Sequence, residues 1–199
     1  MKSILIKQAI VAPLAATLVP MLIAFTLPGY SSISQHLSDL GLLNHPVALI
    51  ERIADIVTGM SIVLFGLGVL ISAPRRFGFT AVTAGIVGAS MMSNGVFVTG
   101  SPLHGLYGLG LFLPLVPACF AAEFGQNGKI VKLSLAVAIF TTVYLWLLFS
   151  GFDPEGFRGL TQRIAIIVMW GWYAIAGYAL LSSGTVPSKM HRVAPAEPT

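Results

Sequence analysis

Apolar and polar positions alternate along this chain in long blocks rather than with the short period of a soluble fold. Six stretches are almost continuously apolar, residues 8–27, 47–71, 79–98, 102–122, 132–150 and 159–182, and short polar connections separate them. Each comes close to the ~20 residues that cross ~30 Å of hydrocarbon as a helix. Lipid offers a backbone no hydrogen-bond partner, so every stretch is expected to be helical. The pattern predicts an all-α, polytopic membrane bundle of six transmembrane helices over residues 1–183, with 184–199 as a flexible cytoplasmic tail.

Composition supports a membrane solvent. The chain is 56% hydrophobic and 9% charged, with a mean hydropathy of +0.88, where a soluble domain carries about 25% charged residues. No internal repeat is visible, and the six stretches leave no length for a second domain. The net charge of +4 is spread over short loops, without the basic face interleaved with aromatics that nucleic acid requires. Its distribution is topogenic instead. Lys2, Lys7, Arg75, Arg76, Lys129, Lys132, Lys189 and Arg192 flank one set of stretch ends, eight in all, and only Arg52, Arg158 and Arg163, three, flank the other. The positive-inside rule then puts both termini in the cytoplasm and the protein, multi-pass, in the cell inner membrane. The first stretch carries Pro13 and Pro20 and lacks a small-x-small site at its outer end, so it reads as an uncleaved helix. Cys119 is the only cysteine, which removes an intramolecular disulfide and leaves it as a small apolar packing residue.

With both ends inside, polar residues gather toward the outer side. Asn94 closes the third stretch, Glu51, Arg52 and Asp55 open the second, His104 opens the fourth, and Gln162 and Arg163 open the sixth. At 1.5 Å per residue Asp55 lies ~12 Å along its helix from Val47, and Arg163 ~6 Å from Gly159. An ionisable group at such depth costs about 2.5–3.5 kcal/mol and turns inward to a partner. Arg163 also opposes the positive end of its own helix, so a carboxylate from Asp55, Asp39, Glu51 or Asp153 is expected beside it. Such a pair serves equally as interhelical glue or as part of a site. Ala81/Gly85/Ala89 and Ala84/Gly88 allow close helix packing within one chain or in a homo-oligomer, and Pro114 and Pro117 interrupt the fourth helix.

The connection 28–46 is the least ordinary segment. Ser31, Ser34 and Ser38 recur near one helical turn with Ile33, Leu37 and Leu40 between them, which predicts a short interfacial helix over 34–40 with Gly41 as its C-cap. Ser34, His36, Ser38 and Asp39 would then roof the polar helix ends. His36, Asp39 and His104, with His45 as a spare, are candidate zinc ligands, since catalytic zinc takes three protein ligands and leaves one position open. A Ser/His/Asp triad has no nucleophile elbow here to support it.

The stretch Pro28-Gly-Tyr-Ser-Ser-Ile-Ser-Gln-His-Leu-Ser-Asp-Leu-Gly, the later His104-Gly-Leu, and Gly159-Leu-Thr-Gln-Arg163 resemble, in order and over nearly the whole chain, the bacterial and archaeal membrane family catalogued as domain of unknown function 998. The resemblance implies a six-helix bundle with a serine-rich loop after the first helix, a histidine at the fourth and a Gln–Arg pair at the sixth. Ser34, Ser38, Asp39, Gly41, His104, Gln162 and Arg163 match its recurring positions. Many relatives have an acidic or cysteine-containing stretch between the third and fourth helices where this chain has Thr99-Gly-Ser-Pro102. The family brings no established activity. The first outer loop is also distantly similar to that of the Frag1/DRAM/Sfk1 membrane proteins.

The expected function is therefore an outward-facing polar pocket of Ser34, Ser38, Asp39, Asp55, Asn94, His104, Gln162 and Arg163. It would hold a lipid headgroup or small polar ligand without a cofactor, with membrane lipids as partners. The alternative is a metal-dependent membrane lipid hydrolase using zinc at His36, Asp39 and His104.

Overall fold

The computed structural model describes residues 2–125 and 128–184. These form α1 (Lys2–Lys7), α2 (Ala12–Ala24), α3 (Val47–Ser72), α4 (Gly78–Val96), α5 (Leu115–Phe124), α6 (Gly128–Ser150) and α7 (Arg158–Ser182), with no strand among the described residues. The tail from residue 185 onward, with Lys189 and Arg192, lies outside them. Four segments are long and apolar enough to cross a membrane: Ser3–Ala24, which joins α1 to α2, Val47–Ser72, Gly128–Ser150 and Glu155–Ser182. Helix α4 has 19 residues, and Leu109–Phe124 is a shorter apolar helix. The chain is thus an all-helical protein with helices of membrane-spanning type.

Consecutive helices pack on one another from α3 through α7, and α7 returns onto α2 and the turn at Gln8–Ile10, closing a ring. The first apolar stretch is not one smooth helix. A 3-10 turn at Gln8–Ile10 precedes α2, because Pro13 has no N–H to continue the ladder and sits comfortably only in a helix's first turn. Gln8 Nε2 donates to the Ser61 carbonyl at 2.9 Å and ties this step to α3.

The tightest contact runs between α3 and α4, and glycine makes it. A Cβ at Gly59 would stand 2.5 Å from the Gly88 carbonyl oxygen, one at Gly88 2.6 Å from that of Gly59, and one at Gly95 2.3 Å from that of Arg52. Of the small-residue stripes, the one through Ala84 and Gly88 does the packing, whereas Gly85 faces open space.

Aromatic side chains fill the centre of the ring toward the α3 C-terminus. Phe65 meets Tyr173 edge-on at 5.3 Å, Phe120 meets Trp172 edge-on at 5.3 Å, and Phe77 stacks on Phe120 at 5.8 Å. All five are buried. Edge-to-face pairs contribute roughly 0.5–1.5 kcal/mol each beyond the area they bury, so this part of the bundle is a solid plug.

The fourth apolar stretch departs most from expectation. Helix is confined to Leu115–Phe124, and residues 97–114 form turns and a short 3-10 helix at Leu109–Phe112. Gly100, Gly105, Gly108, Leu106 and Tyr107 all have positive φ, the last two at 48° and 54°. For L-residues this conformation costs roughly 1–2 kcal/mol each, so surrounding contacts must hold it. Non-helical backbone at membrane depth is tolerated only inside protein or along a polar cavity. Here α4 satisfies it: Ser90 Oγ donates to the Gly105 carbonyl at 2.9 Å, Ser93 Oγ donates to the Leu103 carbonyl at 2.7 Å, and Asn94 Oδ1 accepts the Gly105 N–H.

Candidate functional site

The serine-rich loop is docked on the start of α7 by its backbone. Leu160, whose N–H has no partner inside its own helix at that position, donates to the Ile33 carbonyl at 2.9 Å. Contact is so close that a Cβ at Gly159 would lie 2.2 Å from the Gln35 carbonyl oxygen and 2.6 Å from that of Ser32. Gln162 Oε1 then accepts the Leu37 N–H at 2.5 Å. The Gln162–Arg163 pair is therefore a clasp for the loop.

Arg163 is 3% exposed. Its Nη1 donates to the carbonyls of Gln35 (3.1 Å) and Gly159 (2.9 Å), its Nη2 donates to Tyr30 Oη (3.0 Å), and its guanidinium stands 5.8 Å from the Tyr30 ring centroid. Tyr30 Oη in turn donates a hydrogen bond to the His36 carbonyl at 2.6 Å. The expected carboxylate partner is absent: among the described residues none lies within ion-pair distance of Arg163. The acids are engaged elsewhere. Glu51 and Asp55, four residues apart on one face of α3, hydrogen-bond each other. Asp39 Oδ2 accepts the His36 N–H at 3.0 Å in a reciprocal capping box. Asp153, 5% exposed, accepts Thr161 Oγ1 at 2.8 Å and lies 3.5 Å from His36 Nε2.

The expected helix over 34–40 is a shorter 3-10 helix, Leu37–Leu42, capped by His36. Gly41 lies inside it rather than at its C-cap, and Leu43 follows as the cap. A Cβ at Gly41 would meet only the end of the Glu51 side chain, Oε2 at 2.9 Å. Ser31 acts within the loop, its Oγ accepting the Ser34 N–H at 3.3 Å. Tyr30, which the sequence did not single out, is the loop's central anchor.

Beneath this roof is a cavity of about 180 Å³. It collects Ser38, Asp55, Asn94, His104 and Gln162 from the expected set, whereas Ser34, Asp39 and Arg163 do not line it. It adds Glu51 and Thr17, and Ser90 beside Asn94. Much of the wall is apolar, with Leu145 and Leu148 from α6 and Ile166, Met169 and Trp170 from α7. Gln162, Ile166, Met169 and Trp170 follow a helical i, i+4, i+7, i+8 spacing, a signal the sequence held for extending the site down α7. The unwound segment contributes His104, whose Nδ1 is 2.8 Å from the Phe97 carbonyl oxygen. Of the candidate zinc ligands, His36 and Asp39 cap the 3-10 helix while His104 belongs to the cavity wall. No group of three or more His, Cys, Asp or Glu suited to a metal occurs among the described residues.

No curated protein and no solved structure matches the chain, so the likeness to the Frag1/DRAM/Sfk1 proteins gains nothing from comparison. A family model does match, over residues 10–179, a span that includes the clasp, the unwound segment and the cavity. The chain belongs to the family described as "Protein of unknown function (DUF998)".

Proposed function

We propose that this is a six-crossing inner-membrane protein with both termini in the cytoplasm, whose outward-facing cavity binds a lipid headgroup or a small polar ligand. The six crossings would be α1 with α2, α3, α4, the unwound segment with α5, α6, and α7. The eight-to-three division of Lys and Arg supports the orientation.

The observation that carries binding is the cavity itself. A helix interrupted within its membrane span, its turns held by three α4 side chains, opens beside a space of about 180 Å³. Drug-sized ligand sites run to ~300–1,000 Å³, so this volume suits one polar moiety rather than a whole amphiphile. Interrupted helices recur at membrane binding sites because they present backbone polar groups there. The metal-dependent lipid hydrolase has no converging ligand set in its favour among the described residues.

Native mass spectrometry of the mildly extracted protein, reading bound lipid and metal together, tests the proposal. A lipid or small polar molecule retained by the wild type and lost on Leu148→Trp, which fills the cavity, is the expected result. About one equivalent of zinc, lost in His104→Ala, would promote the hydrolase instead. For topology, a reporter after Thr199 should be active in the cytoplasm and one near Ser32 outside, and the reverse pattern would turn the cavity to the other face.

A further inference from the structure

The arginines near the cavity turn to partners outside it. Arg163 is closed over carbonyls and Tyr30 and does not line the space. Arg52 donates through Nε to the Gly95 carbonyl at 2.9 Å and through Nη2 to that of Val96 at 2.8 Å. No Lys or Arg reaches the wall, so a phosphate or carboxylate entering it would lose its water without gaining a cation. The acidic groups that do reach it are Glu51 and Asp55, both buried and hydrogen-bonded to each other. A hydrogen bond between two carboxyl groups requires a proton on one of them. Both carboxyl groups stand at the cavity wall, and no Lys or Arg lines it beside them.

A second observation comes from the facing helix. Trp170 is 4% exposed, forms part of the same wall, and its buried Nε1–H has no hydrogen-bond partner. A buried donor left unmade is costly, and an oxygen acceptor on a ligand would satisfy it. The indole also offers a face to a cation.

Resting on the binding function proposed above, we infer that the cavity recognises an ammonium group bearing N–H donors, set against Glu51 and Asp55, with a nearby ligand oxygen accepting from Trp170 Nε1. An ammonium supplies three donors and one positive charge, suited to carboxyl oxygens on a wall that no Lys or Arg lines. The same chemistry is carried by the ethanolamine headgroup of a phospholipid and by a free amino alcohol. The apolar wall at Leu145 and Leu148 leaves room beside it for carbon rather than for a second charge.

The test uses the full chain in detergent, with an ethanolamine-headed phospholipid, a glycerol-headed anionic phospholipid and free ethanolamine as probes. Retention by native mass spectrometry and the shift in Tm are read together. The wild type should hold the ethanolamine-headed lipid at least tenfold more tightly than the glycerol-headed one. Glu51→Gln/Asp55→Asn, which removes both ionisable groups at nearly constant shape, should abolish that preference, and Trp170→Phe should weaken the ethanolamine-headed lipid several-fold. If the double variant does not fold, the wild-type rank order and the Trp170→Phe loss still decide. Stabilisation by free ethanolamine alone would support the inference with a free amine as ligand; its absence beside retained lipid would support it with the headgroup as ligand. Equal or tighter binding of the glycerol-headed lipid, displaced by Leu148→Trp, would overturn the ammonium inference and leave the cavity as a binding site. Lipid that Leu148→Trp does not displace, with no response to ethanolamine, would overturn both.

Discussion

Gly159→Ala isolates the docking of the serine-rich loop, because its sign alone separates two accounts of α7. On an open helix surface a glycine-to-alanine change stabilises by about 0.4–1 kcal/mol. At Gly159 the new methyl would stand 2.2 Å from the Gln35 carbonyl oxygen and 2.6 Å from that of Ser32, both backbone atoms that no rotamer change can move. Reaching ordinary contact requires the loop to retreat by roughly 1 Å, which stretches Leu160 N–H to Ile33 O, now 2.9 Å, and Arg163 Nη1 to Gln35 O, now 3.1 Å, beyond hydrogen-bond range. One neutral bond at about 1 kcal/mol and one charge-assisted bond at about 1.5–3 kcal/mol give ~3 kcal/mol lost from docking, or about a hundredfold more undocked loop. The assay is labelling of Ser34→Cys, in a Cys119→Ala background, with a membrane-impermeant maleimide. Labelling in the Gly159→Ala protein should accelerate about a hundredfold while the bundle keeps its helical circular dichroism. Unchanged or slower labelling would refute the account of Gly159 as the loop's seat.

Three further outcomes follow from the geometry. Gly59→Ala and Gly88→Ala should each lower stability by about 1–3 kcal/mol through overpacking of α3 on α4, whereas Gly85→Ala should be neutral or stabilising; thermal unfolding in detergent followed by circular dichroism reads the contrast. Asn94→Ala leaves the Gly105 N–H without its acceptor and should cost about 1–3 kcal/mol, seen as faster proteolysis within 97–114. Burial pushes the Tyr30 phenol above its ordinary value of 10.0, against the opposing pull of Arg163. The folded state thus favours the neutral phenol, and its contribution to loop docking is complete below pH ~10 and lost as pH rises through the higher folded value. Ser34→Cys labelling should accelerate above pH ~10 in wild-type background, and Tyr30→Phe should remove that rise while labelling faster throughout.

Helix positions were legible because burial in lipid writes them as unbroken apolar runs. The expectations 47–71 and 159–182 meet helices Val47–Ser72 and Arg158–Ser182. The run 102–122 misled because its apolar side chains are compatible with turns once Ser90, Ser93 and Asn94 take up its backbone polar groups. The clue lay in Gly100, Gly105, Gly108 and Gly110 around it, read beside a polar stripe on the preceding helix. The partner of Arg163 was misread for a different reason: a charge-balance argument counts carboxylates, whereas backbone carbonyls and a tyrosine hydroxyl met this guanidinium. Those acceptors carry no mark in a sequence, and neither does the i, i+4 spacing of Glu51 and Asp55 announce that they face each other rather than an arginine. Ser38, Asp55, Asn94, His104 and Gln162, which line the cavity, stood out because their polarity is out of place in apolar surroundings. Trp170 was passed over because an aromatic residue in a membrane helix looks ordinary.

The aromatic plug of Phe65, Phe77, Phe120, Trp172 and Tyr173 has a consequence for traffic. It lies nearly three turns past Asp55 along α3 and less than one turn past Trp170 along α7, so on the binding function proposed above the site would be a cup and not a tunnel. Passage through it would mean prising apart interlocked rings, each of which buries roughly 150–250 Å². On that proposal an occupant would leave by the opening through which it entered. Its dwell time is then governed by the roof and by the unwound wall, and mutations in either should alter arrival and departure together, leaving the equilibrium constant nearly untouched where they spare the lining itself.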